Sequence, residues 1–340
     1  MIFQNALLHN ISELVYDSKY QDYQMKRIPH PLKEQINDRA QRASDYCCGC
    51  EIRFRMLSDQ VTIRLRRAPV PERVLHTGVL EVFQGDFQGS YEISPPVITT
   101  DHTDITITRL NRANAALISE QAGWTFHPEL TRVLLPYDWG CAIQSITGNI
   151  CPPKQEDMPS KTLLTYGSSI THGGNSATPS GTYAMQLARR LHMDLLNMGF
   201  AGSAYMDPAL ADYLADKPGW DAALIELGVN VVELWTVEQF RTAASAFLPT
   251  MASRNPGRTI FCTDIYKNHL DFKPDSHTAA FRDCLKSVVR ELNLPNIRYV
   301  DGYSLLTDVH GLSSDGLHPG NQGHQQIAEN LYKIMAPLLV

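Results

Sequence analysis

Four short segments in the second half of the chain carry residue types that acyl-transfer chemistry uses. They are Gly-Ser-Ser-Ile-Thr at 167–171, Asn-Met-Gly-Phe-Ala-Gly at 197–202, Gly-Val-Asn at 228–230 and Asp-Gly-Leu-His-Pro at 315–319. Each follows the end of a predicted strand or begins a predicted helix beside one. Because the carboxyl ends of parallel strands lie on one edge of a sheet, we expect these distant segments to meet there.

Acyl transfer needs a nucleophile, a base, a group that orients the base, and donors for the oxyanion. Ser169, just past a strand end, is the predicted nucleophile, and His318 is the predicted base. Asp315, three residues earlier, can accept a hydrogen bond from one ring nitrogen of the histidine and leave the other for the serine. The predicted oxyanion hole combines the backbone N–H groups of Ser169 and Gly202 with the side-chain amide of Asn230, which has two donors.

Taken in order, these segments resemble the signature blocks of the SGNH (GDSL-like) hydrolases. The first is similar to their Gly-Asp-Ser-(Ile/Leu)-Thr block, the second to their glycine block, the third to Gly-x-Asn and the last to Asp-x-x-His. The resemblance covers residues 161–340. The four residues for which the family is named correspond here to Ser169, Gly202, Asn230 and His318.

Two positions differ from the family's usual pattern. Ser168 precedes the nucleophile where the family usually has an aspartate, and Val231 follows Asn230 where many relatives have one. Neither change removes a catalytic part, because a serine can partly replace the local hydrogen bonds of that aspartate. Ser168 is also the competing nucleophile. We interpret His172 as a loop or supporting residue rather than the base, and His324 as a surface residue of the last helix.

Three further residues are candidates for substrate contacts. Trp235 follows Asn230 closely enough to lie near the rim of the site, where its ring could stack on a sugar. A position in the core or at a helix entry is the simpler interpretation of this tryptophan. Tyr205 and Met206, just past Gly202, are candidates for the wall of the acyl pocket.

The first half of the chain has the alternating polar and apolar residues that are typical of β-strands. Residues 51–57 and 61–66 alternate on either side of a short polar segment and are predicted to form a β-hairpin. Short strands separated by turns indicate an all-β, jelly-roll-like sandwich. Residues 24–43 are expected to hold a short helix or a loop. Further strands are predicted at 74–83, 90–93, 104–110, 131–135 and 141–146.

Residues 151–159 are rich in proline and charge and form the predicted linker. We therefore expect a sandwich domain at 1–153 and a catalytic domain at 160–340. In the second domain strands alternate with helices, which indicates an α/β fold with a parallel sheet covered on both faces. The resemblance implies a flavodoxin-like version of this sheet. Strands are predicted at 162–166, 194–197, 221–227, 258–265 and 297–300, and helices at 180–191, 236–255, 276–292 and 322–335.

Composition excludes several classes of partner. The 340 residues carry a formal net charge of −6 and no basic cluster longer than a pair, so no nucleic-acid partner is expected. No apolar run approaches the roughly 18 residues that span a membrane. The N-terminus lacks the features of a signal peptide, so a cytoplasmic location is expected.

Seven cysteines, three of them in Cys-Cys-Gly-Cys at 47–50, are expected to be reduced thiols. No second ligand pair with zinc spacing accompanies that cluster, so no metal is expected. The chain has no Walker, Rossmann or HExxH motif, and no cofactor is expected. A Gly-x-Ser-x-Gly elbow is also absent, which argues against an α/β-hydrolase.

The resemblance implies a carboxylic-ester hydrolase that acts on small molecules. A β-rich domain before such a core resembles SGNH enzymes that remove acetyl groups from carbohydrates, with the sandwich as part of the cleft wall or an oligomer contact. A homo-oligomer is compatible with this expectation. A lipid-directed acylhydrolase or thioesterase is the alternative within enzymes. A carbohydrate-binding protein with an inert core is the alternative outside them.

Overall fold

The computed structural model describes residues 1–70, 78–90, 95–109 and 111–339. Within that part, no helix combines the length and the apolar character needed to cross a membrane. The elements of the first half are, in chain order, β1 (Ile2–Phe3), β2 (Ala6–His9), β3 (Glu13–Asp17), β4 (Asp22–Lys26), α1 (His30–Lys33), α2 (Asp38–Ala43), β5 (Glu51–Met56), β6 (Gln60–Ala68), β7 (Glu81–Gln84), β8 (Phe87–Gln88), β9 (Thr103–Thr108), α3 (Ala113–Ala122), β10 (Leu130–Leu134), β11 (Gly140–Thr147) and β12 (Ile150–Cys151).

The strands of the first half form two antiparallel sheets that face each other across a shared core. One sheet has the order β1-β2-β5-β10-β7-β8, with β12 also paired to β5, and the other has the order β3-β4-β11-β6-β9. Alternate residues of both sheets are buried in one cluster, for example Ile52 and Phe54 of β5 and Ile63 and Leu65 of β6. The antiparallel sheets agree with the all-β expectation, and the finer jelly-roll assignment stays a prediction.

The predicted hairpin of residues 51–57 and 61–66 is wrong. Both strands exist, as β5 and β6, but they belong to different sheets. After β5 the chain crosses between the sheets, and the N–H groups of Leu57 and Ser58 donate to the Asn149 carbonyl over 2.8 and 3.1 Å. Alternation identifies which face of a strand is buried and not which strand lies beside it. Here the two apolar faces meet across the core.

Other first-half expectations differ in part. The strands of residues 2–26 and the helix α3 lie where no element was predicted. The segment 24–43 holds the end of β4 and the two short helices α1 and α2. Parts of three predicted strands, residues 74–77 and 91–93 and Leu110, lie outside the described residues.

The second half is a parallel sheet covered by helices on both faces, which confirms that expectation. The sheet has the order β14-β13-β15-β16-β17, or 2-1-3-4-5 by position in this half, the order of flavodoxin-like folds. Helices α5 and α9 pack on one face, and α6, α7 and α8 on the other. The elements are β13 (Thr162–Gly167), α4 (Ser169–His172), α5 (Tyr183–Arg190), β14 (Asp194–Gly199), α6 (Pro208–Asp216), β15 (Ala222–Glu226), α7 (Val237–Ser253), β16 (Thr259–Thr263), α8 (Thr278–Leu292), β17 (Ile297–Val300) and α9 (Asn321–Leu339).

A segment of the first half packs on the second half. The α1–α2 segment, residues 28–46, places Ile28, Leu32, Ile36 and Tyr46 in the same apolar cluster as helices α6, α7 and α8. The α1–α2 segment is thus buried against the helices that cover the parallel sheet of the second half. It therefore reaches the edge of the sheet where the candidate site lies.

Candidate active site

The candidate nucleophile lies at the turn from β13 into the short helix α4. Ser169 is the first residue of α4 and is buried. Ser168 is the N-cap of that helix, and its side-chain oxygen accepts a hydrogen bond from the Ile170 N–H over 3.1 Å. The Ser168 hydroxyl is therefore engaged in capping, whereas the Ser169 hydroxyl points to the candidate base.

Ser169, His318 and Asp315 form a continuous hydrogen-bonded chain. The Ser169 Oγ lies 2.7 Å from His318 Nε2, and His318 Nδ1 lies 2.7 Å from Asp315 Oδ2. Partial burial raises the pKa of Asp315, but hydrogen bonds from the Leu317 N–H and from His318 outweigh it and leave that pKa well below its ordinary value. An ionised Asp315 accepts a hydrogen bond from the Nδ1–H group of His318, which leaves Nε2 to accept one from the Ser169 hydroxyl.

Two residues that sequence reasoning missed hold Asp315 in place. The Ser313 hydroxyl donates to Asp315 Oδ1 over 2.9 Å, and the Asn175 amide donates to Ser313 Oγ over 2.7 Å and to Asp315 Oδ2 over 3.2 Å. Asn175 has a positive φ of 67°. Ser313 lies two residues before Asp315, and that closeness was the one available signal.

The three candidate oxyanion donors lack protein partners within the described ranges. The backbone N–H groups of Ser169 and Gly202 donate no hydrogen bond to another described residue. The Asn230 Oδ1 atom accepts from the Ala204 N–H over 3.0 Å, which turns the two amide hydrogens of Asn230 away from that loop. Gly202 has a φ of +66°, a conformation that favours glycine, and a Cβ there would meet nothing within 4 Å.

These groups line one cavity of about 330 Å³ at the carboxyl ends of the strands. Ser169, Gly202, Asn230 and His318 all contribute to its wall. The opposite wall comes from the α1–α2 segment through three side chains that sequence reasoning did not single out: Arg42, Ala43 and Tyr46. The sequence expectation gave this wall to the sandwich, whereas these residues lie between β4 and β5, outside both sandwich sheets.

The three substrate-contact candidates surround a second, larger groove of about 770 Å³. Tyr205, Met206 and Trp235 line it together with Asn37, the N-cap of α2. The rings of Tyr205 and Trp235 lie 5.7 Å apart between centroids. None of these three residues lines the cavity around Ser169. Since α2 begins at the groove and ends at the cavity, the two spaces flank one helix.

Two further histidines near the site, His172 and His324, are buried and bonded to backbone groups. His172 is fully buried between the carbonyls of Tyr137 and Gly199, and burial lowers its pKa to about 3. The expectation that His324 is a surface residue is wrong. It is fully buried, accepts from the Tyr183 N–H over 3.1 Å at Nδ1 and lies 3.0 Å from the Gly174 carbonyl at Nε2. Its helix packs against α5, which hides that face from solvent.

The cysteines are free thiols, and all except Cys151 are buried. Within the described ranges, no cluster of three or more histidine, cysteine or acidic side chains is arranged to hold a metal ion.

Comparison with known proteins gives a family and several shared folds. The profile of the GDSL-like lipase/acylhydrolase family matches residues 160–336. No curated protein sequence matches the chain. Among solved structures, the salicylyl-acyltransferase SsfX3 from a tetracycline biosynthetic pathway is similar over 99% of this chain and 96% of its own, with a TM-score of 0.78 at 18% identity.

Two further solved structures share the whole architecture. A GDSL-like lipase homologue from Bacteroides ovatus covers 98% of this chain and 97% of its own, with a TM-score of 0.71 at 16% identity. A family two carbohydrate esterase from Clostridium thermocellum covers 98% of each chain, with a TM-score of 0.64 at 13% identity. At these identities the likeness establishes the fold alone.

Proposed function

The chain belongs to the GDSL-like lipase/acylhydrolase family, and from that premise we propose that it is a serine carboxylic-ester hydrolase that removes small acyl groups, chiefly O-acetyl groups, from carbohydrates. One observation carries the proposal. The Ser169 Oγ lies 2.7 Å from His318 Nε2, in a cavity that also holds three oxyanion donors with no hydrogen-bond acceptor among the described residues. That combination is what ester hydrolysis requires.

The reaction follows from these contacts. Ser169 Oγ attacks the ester carbonyl carbon while its proton passes to His318 Nε2, and Asp315 stabilises the imidazolium that forms. The carbonyl oxygen becomes an oxyanion held by the N–H groups of Ser169 and Gly202 and by the Asn230 amide. The bond to the alcohol then breaks, and the alcohol takes the proton from His318. Water, activated by the same histidine, hydrolyses the acyl-enzyme and releases the acid.

The size and lining of the cavity support a small acyl group. The volume of about 330 Å³ must hold the reacting ester, and much of the wall is polar, with Arg42, Asn175 and Asn230 among its residues. Tyr46 adds an aromatic surface. A cavity of this volume, with polar side chains and one aromatic ring in its wall, suits an acetylated sugar better than a long apolar chain.

Two further observations support a carbohydrate as the alcohol. One of the similar structures is that of a family two carbohydrate esterase. The adjacent groove carries Tyr205 and Trp235, whose rings offer the kind of surface on which sugars stack. Met206 forms part of the same wall. We assign this groove to the sugar and the cavity to the acetyl group.

A lipid-directed acylhydrolase or thioesterase is the second candidate, and the same groove favours it. The groove is large, at about 770 Å³, and Met206, Ala243 and Ala246 add apolar surface to its aromatic rings. An acyl chain that bent around α2 would leave the cavity and enter this groove. The non-enzymatic alternative, a carbohydrate-binding protein, does not explain why Ser169, His318 and Asp315 are joined by hydrogen bonds.

A series of p-nitrophenyl esters from acetate to octanoate tests the proposal. We expect acetate to be hydrolysed faster than chains of about six carbons or longer, and acetate to be released from acetylated xylo-oligosaccharides or other acetylated sugars. The Ser169→Ala variant serves as the blank. Faster hydrolysis of octanoate, with no acetate from any sugar, would favour the lipid-directed candidate. No turnover of any ester would leave the carbohydrate-binding alternative.

A further inference from the structure

A buried glutamate lies directly beneath the nucleophile turn, and the mechanism above does not use it. Glu226 is the last residue of β15, four residues before Asn230, and only 1% of its surface is exposed. A carboxyl group without solvent or a cationic partner is costly in a protein core. It therefore calls for an explanation.

One oxygen of this glutamate joins both sides of the nucleophile. Glu226 Oε2 accepts a hydrogen bond from the Ser168 N–H over 2.7 Å and another from the Thr171 hydroxyl over 3.0 Å. These donors lie one residue before and two residues after Ser169. The two bonds fix the backbone of the turn that presents the Ser169 hydroxyl and N–H to the cavity.

The contact between Glu226 and the turn leaves no room for a side chain at position 167. A Cβ on Gly167 would lie 2.5 Å from Glu226 Oε2 and 2.3 Å from Thr171 Oγ1, so the close approach requires a glycine. The Thr171 hydroxyl has one hydrogen, which goes to Glu226. The Tyr183 hydroxyl, 2.6 Å away, consequently donates to Thr171.

The other carboxyl oxygen of Glu226, Oε1, does not bind the turn. Among the described residues, Glu226 Oε1 has no hydrogen-bond partner. Burial raises the pKa of Glu226, while hydrogen bonds from Ser168 and Thr171 oppose that rise. If Glu226 takes up a proton, Oε1 can hold it and Oε2 can still accept both bonds. The contact with the turn is therefore available in either protonation state.

We infer that Glu226 is a positioning residue, whose Oε2 atom holds the nucleophile turn so that Ser169 meets both His318 and the oxyanion. This inference rests on the proposed role of Ser169. Relatives usually have an aspartate just before the nucleophile. In this chain that residue is Ser168, and the carboxyl group that binds the turn belongs to Glu226 on the neighbouring strand β15. Glu226 acts through the turn and touches neither substrate nor His318.

Three variants test whether the acceptor atom matters. Glu226→Met keeps nearly the same volume but removes the acceptor, and we expect kcat to fall about 100-fold with KM within about twofold, the scale of loss when a reacting group is misplaced by about 1 Å. Glu226→Gln keeps a carbonyl oxygen and should restore kcat to within about fivefold of the parent. Thr171→Val removes one of the two bonds and should lower kcat about 10-fold.

The measurements separate positioning from general destabilisation. Turnover uses p-nitrophenyl acetate, and a fluorophosphonate probe reports Ser169 directly, because the serine oxygen displaces fluoride from phosphorus while His318 takes the proton. Thermal unfolding is followed in parallel. The matched control is Cys262→Ala, which removes a buried side chain from the adjacent strand β16 without touching the turn. It should lower stability and leave kcat within twofold.

The outcomes are distinct. Loss of kcat and of probe labelling in Glu226→Met, with recovery in Glu226→Gln, supports the inference. Parent-like turnover and labelling in a folded Glu226→Met variant overturns it, and so does an equal loss in Cys262→Ala. Should Glu226→Met fail to fold, Thr171→Val decides by the same two readouts. Labelling and turnover that persist in Ser169→Ala would instead overturn the proposed function.

Discussion

Two buried arginines of the first half reach opposite ends of the same strand, β14, and they are bound in different ways. Arg53 meets the start of β14 through a bidentate pair with Asp194, at 2.6 and 2.7 Å, and also donates to Glu51. Arg132 pairs with the same Glu51 over 2.6 Å. At this end, far from the site, two guanidinium groups balance two carboxylates.

At the other end of β14 the buried cation is bound by backbone carbonyls. Arg27 is fully buried and donates to the carbonyls of Tyr46, Ala43, Asn197 and Gly199 over 2.6 to 3.2 Å. Among the described residues no acidic side chain forms an ion pair with it. Ala43 and Tyr46 line the catalytic cavity, and Gly199 begins the loop that leads to Gly202.

The two ends of β14 show two ways in which a buried arginine can join the halves of the protein: by ion pairs with carboxylates, or by hydrogen bonds to backbone carbonyls. A paired cluster anchors the two halves together at the end of the strand where no reaction occurs. Beside the cavity, Arg27 instead binds backbone carbonyls, so its contacts fix the path of the chain. Through its bonds to carbonyls of both halves, Arg27 holds the end of β14 that leads to Gly202 against Ala43 and Tyr46 of the cavity wall.

The largest expected effect is at the site end of the sheet. Ser169→Ala should lower kcat by about 10⁴- to 10⁶-fold, as loss of a serine nucleophile does, without loss of folding. Ser168→Ala should retain much of the activity, because that hydroxyl caps α4. Steady-state turnover of p-nitrophenyl acetate and thermal unfolding check both. The reverse pattern would move the nucleophile to Ser168.

Breaking the charge-paired end should affect stability alone. Arg53→Met leaves Asp194 and Glu51 with too little positive charge, and we expect the free energy of unfolding to fall by about 3–5 kcal/mol. The value of kcat should stay within threefold. Urea unfolding measures the first, and Arg64→Met, which removes an exposed pair with Asp104, is the control with a loss of at most about 1 kcal/mol. A large drop in kcat would show that both ends serve the site.

Removing a donor from the site end should affect turnover alone. Asn230→Ala should lower kcat by about 10²- to 10³-fold, the usual consequence of losing one oxyanion donor. KM should change much less, because the donor acts on charge that develops in the transition state. Parent-like turnover would remove Asn230 from the oxyanion hole.

Breaking the carbonyl-bound end should combine both effects in smaller amounts. Arg27→Met leaves four buried carbonyls with fewer donors, so the free energy of unfolding should fall by about 1–3 kcal/mol. The end of β14 that leads to Gly202 also loses these contacts, so kcat should fall by about 10-fold. Urea unfolding and turnover of Arg27→Met are measured under the same conditions as for Arg53→Met. Equal kcat in the two variants would remove the contrast between the ends.

Acid should weaken the charge-paired end of β14, whereas the bonds from Arg27 to carbonyls do not titrate. Burial raises the pKa of Glu51, but Arg132 and Arg53 outweigh it and bring that pKa to about 2, well below the ordinary value. Stability from this carboxylate is therefore complete above about pH 5 and is lost as the pH falls towards 2. Urea unfolding from pH 6 to 3 should show the decline in the parent and in Arg27→Met, and a shallower one in Glu51→Gln. An equally steep decline in Glu51→Gln would contradict this assignment.

The chemistry-bearing residues could be predicted because their placement depends on local signals. Ser169, Asn230 and His318 follow strands whose alternation with helices is visible in the chain, and the ends of parallel strands share one edge. The pairing of β5 with β2 and β10 could not be predicted, because alternation carries no information about neighbours. Nor could the strands β1 to β4, because at two to five residues they are too short for a periodic pattern to stand out.

The contribution of Arg42 and Tyr46 to the cavity wall could not be predicted for a related reason. Its position depends on Arg27, which contacts Gly199 across 172 residues of sequence. The catalytic roles themselves, and the assignment of Trp235, Tyr205 and Met206 to the substrate, remain proposals for the experiments above.

The origin of the cavity wall in the α1–α2 segment has a consequence for how this protein can evolve or be redesigned. The proposed reacting groups belong to residues between 169 and 318, whereas Arg42 and Ala43 of α2, with Tyr46, line the cavity from the first half of the chain. We therefore expect mutations at Arg42, Ala43 and Tyr46 to change which ester is accepted without altering the proposed reacting groups. A library restricted to these three positions would explore substrate range at a constant chemical mechanism.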